Sequence, residues 1–221
     1  MCSQFKSIEH VIVDNCSSDD TLELVKIYEN ENPHIDVKLI SERDKGLSDA
    51  LNKGMAMSTG DYIIWLHSDE FLEANILNKV ENTILEHPGY EVYFGDTNFR
   101  SEDLSMQREK IEHRHNRAML LYYGCYIQTA STFIYRSVLE KSGQLLSDYK
   151  VSMDHEWYVR MAYSDVKFKP LEFTVSNFIW HEHNISKVLG GSRIEFNRTR
   201  LRYGLLKLLP TRIRIFIFNN F

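Results

Sequence analysis

A chain of 221 residues with 43% hydrophobic content can bury a core of its own, most simply as one domain with a small appendage. Its formal net charge of −5 argues against a nucleic-acid partner, because an acidic body repels a phosphate backbone. Three widely spaced cysteines, Cys2, Cys16 and Cys125, form no C-x-x-C pair, so neither a disulfide framework nor a thiolate zinc site is expected and a reducing cytoplasm fits.

The opening text "MCSQFKSIEH" has no apolar centre of signal-peptide length, and no run of about 18 apolar residues occurs along the chain. Neither export nor a spanning helix is expected. "IEHVIVDN" then reads as a short strand ending on Asp14, and "CSSDDT" follows it, where Ser17 or Ser18 can cap a helix with Asp19 and Asp20 in its first turn. "TLELVKIYENEN" is that helix, stopped before Pro33. "VKLIS" is a second strand, and "GLSDALNKGMAMSTG" a second helix closed by Gly60. "YIIWL" is a third strand, "EANILNKVENTILEH" a third helix and "EVYFGD" a fourth strand ending on Asp96. Such alternation predicts a largely parallel sheet with helices on both faces.

In open α/β sheets, ligands bind beyond the carboxyl ends of the strands. Asp14, Asp69 with Glu70, and Asp96 are all expected there. Crowded carboxylates repel one another unless a cation compensates them, and oxygen ligands favour Mg²⁺ or Mn²⁺, ions that bridge to nucleotide phosphates.

With these segments in view, the chain resembles family 2 glycosyltransferases of the GT-A fold. The resemblance is carried by "IEHVIVDNCSSDDT", by "SERDKGLSDALNKGMAMSTGDYIIWLHSDEFL" and by "MDHEWYVRM", and it runs from about Ile8 to Ser186. The middle block is the most specific, with its D-x-G, D-A, N-x-G and T-G-D elements in order. The resemblance implies an α/β fold of GT-A type, a Rossmann-like three-layer sandwich with a mostly parallel central sheet. It is nearest to bacterial transferases that build exopolysaccharide, O-antigen and capsule. The function it implies is inverting transfer of a sugar from a nucleotide-diphosphate donor, a UDP-sugar by preference, to a lipid-linked glycan acceptor.

Carried over residue by residue, Asp14, Asn15, Asp44, Asp49 and Asn52 match the nucleotide side of the site. Asn15 stands where relatives often have a second Asp. Helix capping is the plain alternative for the loop and helix members. "HSDE" stands at the D-x-D-like element: Asp69 matches the metal-binding acid, and His67 replaces the usual first acid. His67 is either a ligand or a residue facing the strand's neighbours. Glu70 is expected as a first-turn acid of the following helix. Asp154 matches the base that takes the acceptor hydroxyl's proton, with a helix N-cap as the plain alternative. Met153 replaces the usual preceding Glu, and Glu156 matches the next acid, pointing to another side of the helix.

Two H-x-H pairs, at His113 and His115 and at His181 and His183, also fit a zinc reading. The resemblance implies instead that His181 approaches the metal or diphosphate, with Asn184 and Ser186 following. His113 and His115 are expected on the surface.

The phosphate cradles of dinucleotide dehydrogenases and P-loop enzymes are missing, as is a nucleophile elbow. Relatives usually open with a strand and a "P-T-Y-N"-like turn, and "MCSQFKSIEH" looks like the tail of the helix after them. The domain is therefore expected to be short at its front, through an internal start or a missing strand. The competing function is a catalytically silent relative acting as an interaction partner in polysaccharide assembly.

The expected division is a GT-A domain over 1–192 and a basic segment over 193–221. That segment holds seven Lys or Arg against one acid, Glu195, interleaved with Leu, Ile and Phe. It is read either as a peripheral anchor on the anionic inner face of the plasma membrane or as a terminal helix packed on the domain.

Overall fold

The computed structural model describes residues 8–111, 114–182, 184 and 192–204. The first unit pairs β1 (Ile8–Asp14) with β2 (Ile35–Ser41) in parallel, connected through helix α1 (Thr21–Glu31). Helix α2 (Leu47–Met57) packs against β1 and turns Leu47, Leu51 and Met55, four residues apart, toward the larger core.

The second unit is a six-stranded sheet in the order β3 (Tyr62–Ile63), β7 (Thr132–Tyr135), β5 (Val92–Arg100), β8 (Phe168–Ile179), β4 (Glu70–Leu72), with β6 (Met106–Lys110) on β5. It is more mixed than the strand–helix alternation predicts: β5 and β8 run parallel, while the β3, β4, β6 and β7 pairings are antiparallel. The antiparallel members are short, five residues or fewer, so most of them leave a weak trace in the sequence.

The three-layer expectation holds at β5, where successive residues face opposite cores. Val92 and Phe94 enter a core with Trp65, Leu120, Tyr149 and Trp157. Tyr93 enters the other, with Ile76 and Val80 of α3 (Ile76–Glu86) and with Val175. The first core is closed by α4 (Arg117–Tyr122), α5 (Ser137–Ser142), α6 (Met153–Ala162) and α7 (Ser192–Tyr203). At Gly95 the strands approach so closely that a Cβ would lie 2.6 Å from Val175 Cγ2 and 2.8 Å from the Phe173 carbonyl oxygen. The β5–β8 register shifts there, between Phe94 and Asp96.

Asp96 is thus inside β5 rather than at its end, a correction to the sequence reading. The strand continues through Arg100 because β6 and β8 both supply ladder partners beyond Asp96. "YIIWL" contributes only Tyr62 and Ile63 to a strand, after which Trp65 is stacked on Trp157 at 4.9 Å and 7°.

Four cations of the basic segment lie in α7. Arg198 pairs with Asp148 at 3.0 Å, and Arg200 donates to the Leu121 and Tyr122 carbonyls. Arg202 sits 3.9 Å from Glu156, and the Tyr203 hydroxyl donates to Glu156 at 2.8 Å. Residues 192–204 therefore pack as a helix on the domain, and residues 205–221 lie outside the described part. Among the described residues, no helix is long and apolar enough to cross a membrane.

Candidate active site

The chain leaves β3, passes Trp65 and closes a turn in which the Glu70 N–H donates to the His67 carbonyl at 3.1 Å. Glu70 then pairs with Phe178 of β8, so it belongs to a strand and not to the first turn of α3. This corrects the dipole reading of Glu70. Its carboxylate, 4% exposed, accepts from the His67 N–H at 2.9 Å and from His67 Nδ1 at 2.8 Å. An ionised carboxylate only accepts, so in the neutral ring Nδ1 carries the proton and Nε2 the lone pair. His67 Nε2 is buried with no hydrogen-bond partner among the described residues. Burial opposes charging of this imidazole, but Glu70, Asp69 and Asp154 together push its pKa above the ordinary histidine value.

Asp69 is placed by the same strand pairing. Its carbonyl accepts from the Ile179 N–H at 2.8 Å, which draws the segment after β8 alongside. Asp69 Oδ2 consequently lies 3.4 Å from His181 Nε2 and accepts from Asn184 Nδ2 at 2.7 Å. Asn184, 3% exposed, also accepts the His181 N–H on Oδ1 at 2.8 Å. The sequence marks Asn184 only as a residue after His181, and its role as the bridge between Asp69 and His181 emerges from the fold. Ligand atoms of His67, Asp69 and Glu70 lie within 4.8 Å of one another. A neutral imidazole beside two carboxylates is a donor set that fits Mn²⁺.

Asp154 stands in the first turn of α6, where Ser152 occupies the N-cap position. The N-cap alternative for Asp154 is thereby excluded. One of its oxygens accepts from the His155 N–H at 2.7 Å. Burial raises its pKa, and the His155 N–H bond, then nearby His67 and Lys110, oppose that rise. Asp154 and His67 are thus close enough for each to act on the other's titration. Glu156, fully buried, turns away to accept Arg160 at 2.8 Å and the Tyr203 hydroxyl, which is the structural half of the split expected for these two acids.

The other predicted residues brace the loop after β1, the loop before α2 and α2 itself. Asp14 accepts the Ser41 hydroxyl at 2.6 Å and the Ser17 N–H at 3.1 Å. The Ser17 hydroxyl and then Ser41 hold its pKa below the usual carboxylate value. Asn15 Oδ1 accepts the Asp44 N–H at 3.0 Å, latching the loop after β1 to the loop before α2. Asp44 in turn accepts the Gly46 N–H at 2.8 Å, where φ is +119°, a left-handed backbone suited to glycine. Asp49 accepts the Lys45 N–H at 3.0 Å. Asn52 pairs with both backbone groups of Leu145, at 2.9 and 3.0 Å.

His115 is half-buried rather than on the open surface. Its ring stacks on Phe168 at 4.1 Å, Nδ1 lies 3.1 Å from the Tyr126 hydroxyl, and burial drives its pKa down to about 4. His113, His183 and Ser186 lie outside the described residues.

Comparison with known proteins adds the following. The family described as "Glycosyl transferase family 2" matches residues 1–143. A PGL/p-HBAD biosynthesis glycosyltransferase of Mycobacterium bovis is 36% identical over 103 residues, covering 45% of this chain and 38% of that protein. A cholesterol galactosyltransferase of Borreliella burgdorferi is 28% identical over 105 residues, covering 45% of this chain and 29% of that protein. The matched stretches are thus well under half of either relative's length. Among solved structures, S. aureus TarS 1-349 in complex with UDP-GlcNAc superposes with a TM-score of 0.69 at 14% identity, over 92% of this chain and 61% of that one. The mannosyltransferase PcManGT of Pyrobaculum calidifontis, in complex with GDP-Man and Mn²⁺, gives a TM-score of 0.58 at 15% identity, over 88% and 52%. These two likenesses establish the GT-A architecture.

Proposed function

Because the chain belongs to glycosyl transferase family 2, we propose that it transfers one sugar, with inversion, from a nucleotide-diphosphate donor, a UDP-sugar by preference, to a lipid-linked glycan. The observation that carries this reading is the meeting of His67 and His181 at Asp69, with Asp154 close enough to His67 to act on its titration.

Asp69 would hold the divalent cation, with His67 Nε2 as a further ligand and Glu70 fixing the imidazole tautomer. A cation held there would supply positive charge to neutralise the donor diphosphate. Asn184 keeps Asp69 and His181 at a fixed separation. Asp14, Asn15, Asp44 and Asp49 act on the nucleotide side by shaping the two latched loops, and Asn52 by seating α2 on Leu145.

Asp154 takes the proton of the acceptor hydroxyl as that oxygen attacks the anomeric carbon from the face opposite the diphosphate. Burial raises its pKa, which makes it the stronger base toward the acceptor's proton. The complexes of TarS with UDP-GlcNAc and of PcManGT with GDP-Man and Mn²⁺ support the donor class and the metal.

The test is titration calorimetry with UDP-glucose, UDP-galactose, UDP-N-acetylglucosamine and GDP-mannose, each with Mn²⁺ and with EDTA. At least one donor should bind, and its affinity should drop in EDTA. Equal affinity in EDTA removes the metal from the reading, and no binding by any donor removes the reading itself.

A further inference from the structure

The basic segment contains one acid, and its placement is unlike that of its neighbours. Glu195 lies on the first turn of α7 and is only 8% exposed. Its carboxylate accepts three consecutive backbone N–H groups: Lys150 at 2.7 Å on Oε1, then Val151 at 3.0 Å and Ser152 at 2.7 Å on Oε2. A buried carboxylate is costly unless its lone pairs are filled, and hydrogen bonds to an ionised acceptor are the stronger kind. These three bonds are therefore a firm grip on the main chain.

The gripped peptides run directly into α6. Ser152, the N-cap residue, makes no side-chain capping bond to the helix. Its carbonyl accepts the Glu156 N–H at 3.1 Å, the first helical bond across the turn that carries Asp154. The orientation of this turn is thus held from α7 rather than by a local cap. The same stretch is tied on its other side to the loop and helix assigned above to the nucleotide. The Ser48 hydroxyl donates to the Tyr149 carbonyl at 3.0 Å, and Lys150 Nζ donates to the Lys45 carbonyl at 3.2 Å.

We infer that Glu195 is a positioning residue for the base: by holding the N–H groups of residues 150–152 it sets the distance between Asp154 and a donor seated beside α2. The inference rests on the reading of Asp154 as the base. It assigns a function to a segment whose composition suggested only a membrane contact or a packed helix.

Glu195→Gln is the informative variant. An amide keeps the size but turns an NH₂ group toward N–H donors, so part of the grip is lost. With the donor that binds in calorimetry, kcat should fall on the order of 10²-fold, the scale expected when a reacting group is displaced by about 1 Å. Donor affinity should stay unchanged. In an Asp154→Asn background the same substitution should cost nothing more, because the group it positions is already gone. Thr199→Val, on the same helix as Glu195, removes a bond to the Tyr149 hydroxyl and should lower the melting temperature and leave kcat alone. If Glu195→Gln does not fold, Glu195→Asp keeps the charge but shortens the reach, and it should show the same loss of kcat at constant donor affinity.

A folded Glu195 variant with wild-type kcat overturns the inference, as does one whose donor affinity falls in step with turnover or whose loss multiplies with that of Asp154→Asn. If Asp154→Asn itself turns over normally, the assignment of the base fails first, and the two failures are told apart.

Discussion

Asn184 Nδ2 donates to Asp69 Oδ2 at 2.7 Å and lies 3.0 Å from His181 Nε2, so one buried amide ties together an acid and an imidazole far apart in sequence. Replacing it with alanine leaves Asp69 and His181 free to shift while each remains present. Partners that orient metal ligands typically contribute about 10–100-fold in metal affinity. Asn184→Ala should therefore weaken Mn²⁺-dependent UDP binding by about that factor with the melting temperature little changed. Unaltered Mn²⁺ dependence would show that the amide only completes the turn.

Asp154 and Asp69 should fail in different ways. Asp154→Asn removes general-base assistance and is expected to lower kcat by about 10²–10⁴-fold while donor affinity holds. Asp69→Asn should weaken donor binding in Mn²⁺ and leave the weaker binding in EDTA unaffected. Steady-state kinetics with calorimetry on both variants separates the roles, and a pure loss of folding stability in both would return the two acids to structural duty.

Trp157 is fully buried, stacks on Trp65, and donates through Nε1 to the Gly143 carbonyl at 2.8 Å. Trp157→Ala leaves a cavity and an unpaired carbonyl beneath the helix that carries Asp154. The expected destabilisation is about 3–5 kcal/mol by denaturant titration. Trp157→Phe retains most of the ring volume and should cost less than half of that.

The junction between the two sheets is acid-sensitive. Burial alone would raise the Glu9 pKa, but Lys38, the Thr59 N–H and hydroxyl and the Gly60 N–H hold it at about 2, against an ordinary 4.5. A depressed carboxylate contributes stability that is present above its unfolded pKa and lost as pH falls through the folded one. The stability gap between wild type and Glu9→Gln should therefore be full at neutral pH and close between about 4.5 and 2. A gap that persists unchanged at the acid end would rule out the ionised contact as its source.

Membrane contact, if the basic segment provides it, should come from beyond α7, because Arg198, Arg200 and Arg202 already have partners on the domain. Residues 205–221 retain Lys207, Arg212 and Arg214 among Leu, Ile and Phe. Each cation near an anionic leaflet contributes about 1 kcal/mol. The whole chain should co-sediment with anionic vesicles and be released by added salt, and a chain ending at Gly204 should stay folded in the supernatant. Equal sedimentation of both would place the contact elsewhere.

Local pattern was enough for the elements that carry their own signal. The apolar runs of β1 and β5, the four-residue spacing of Leu47, Leu51 and Met55, and the block that ends in Asp69 announce the α/β architecture and the family, because periodicity and motif order are properties of neighbouring residues. The site needed more. Glu70 reads as a helix-start acid until β8 pairs with it, and Asp96 reads as a strand end until β6 and β8 extend its ladder. His115 reads as a surface residue until Phe168 covers its ring. Asn184 meets Asp69, and Glu195 grips the turn before Asp154, across 115 and about 43 residues of chain respectively. Such pairings are set by the strand order of a mixed sheet and by the helix that closes its core. Those are decided by which distant surfaces bury each other best, and a window of adjacent residues carries no record of that.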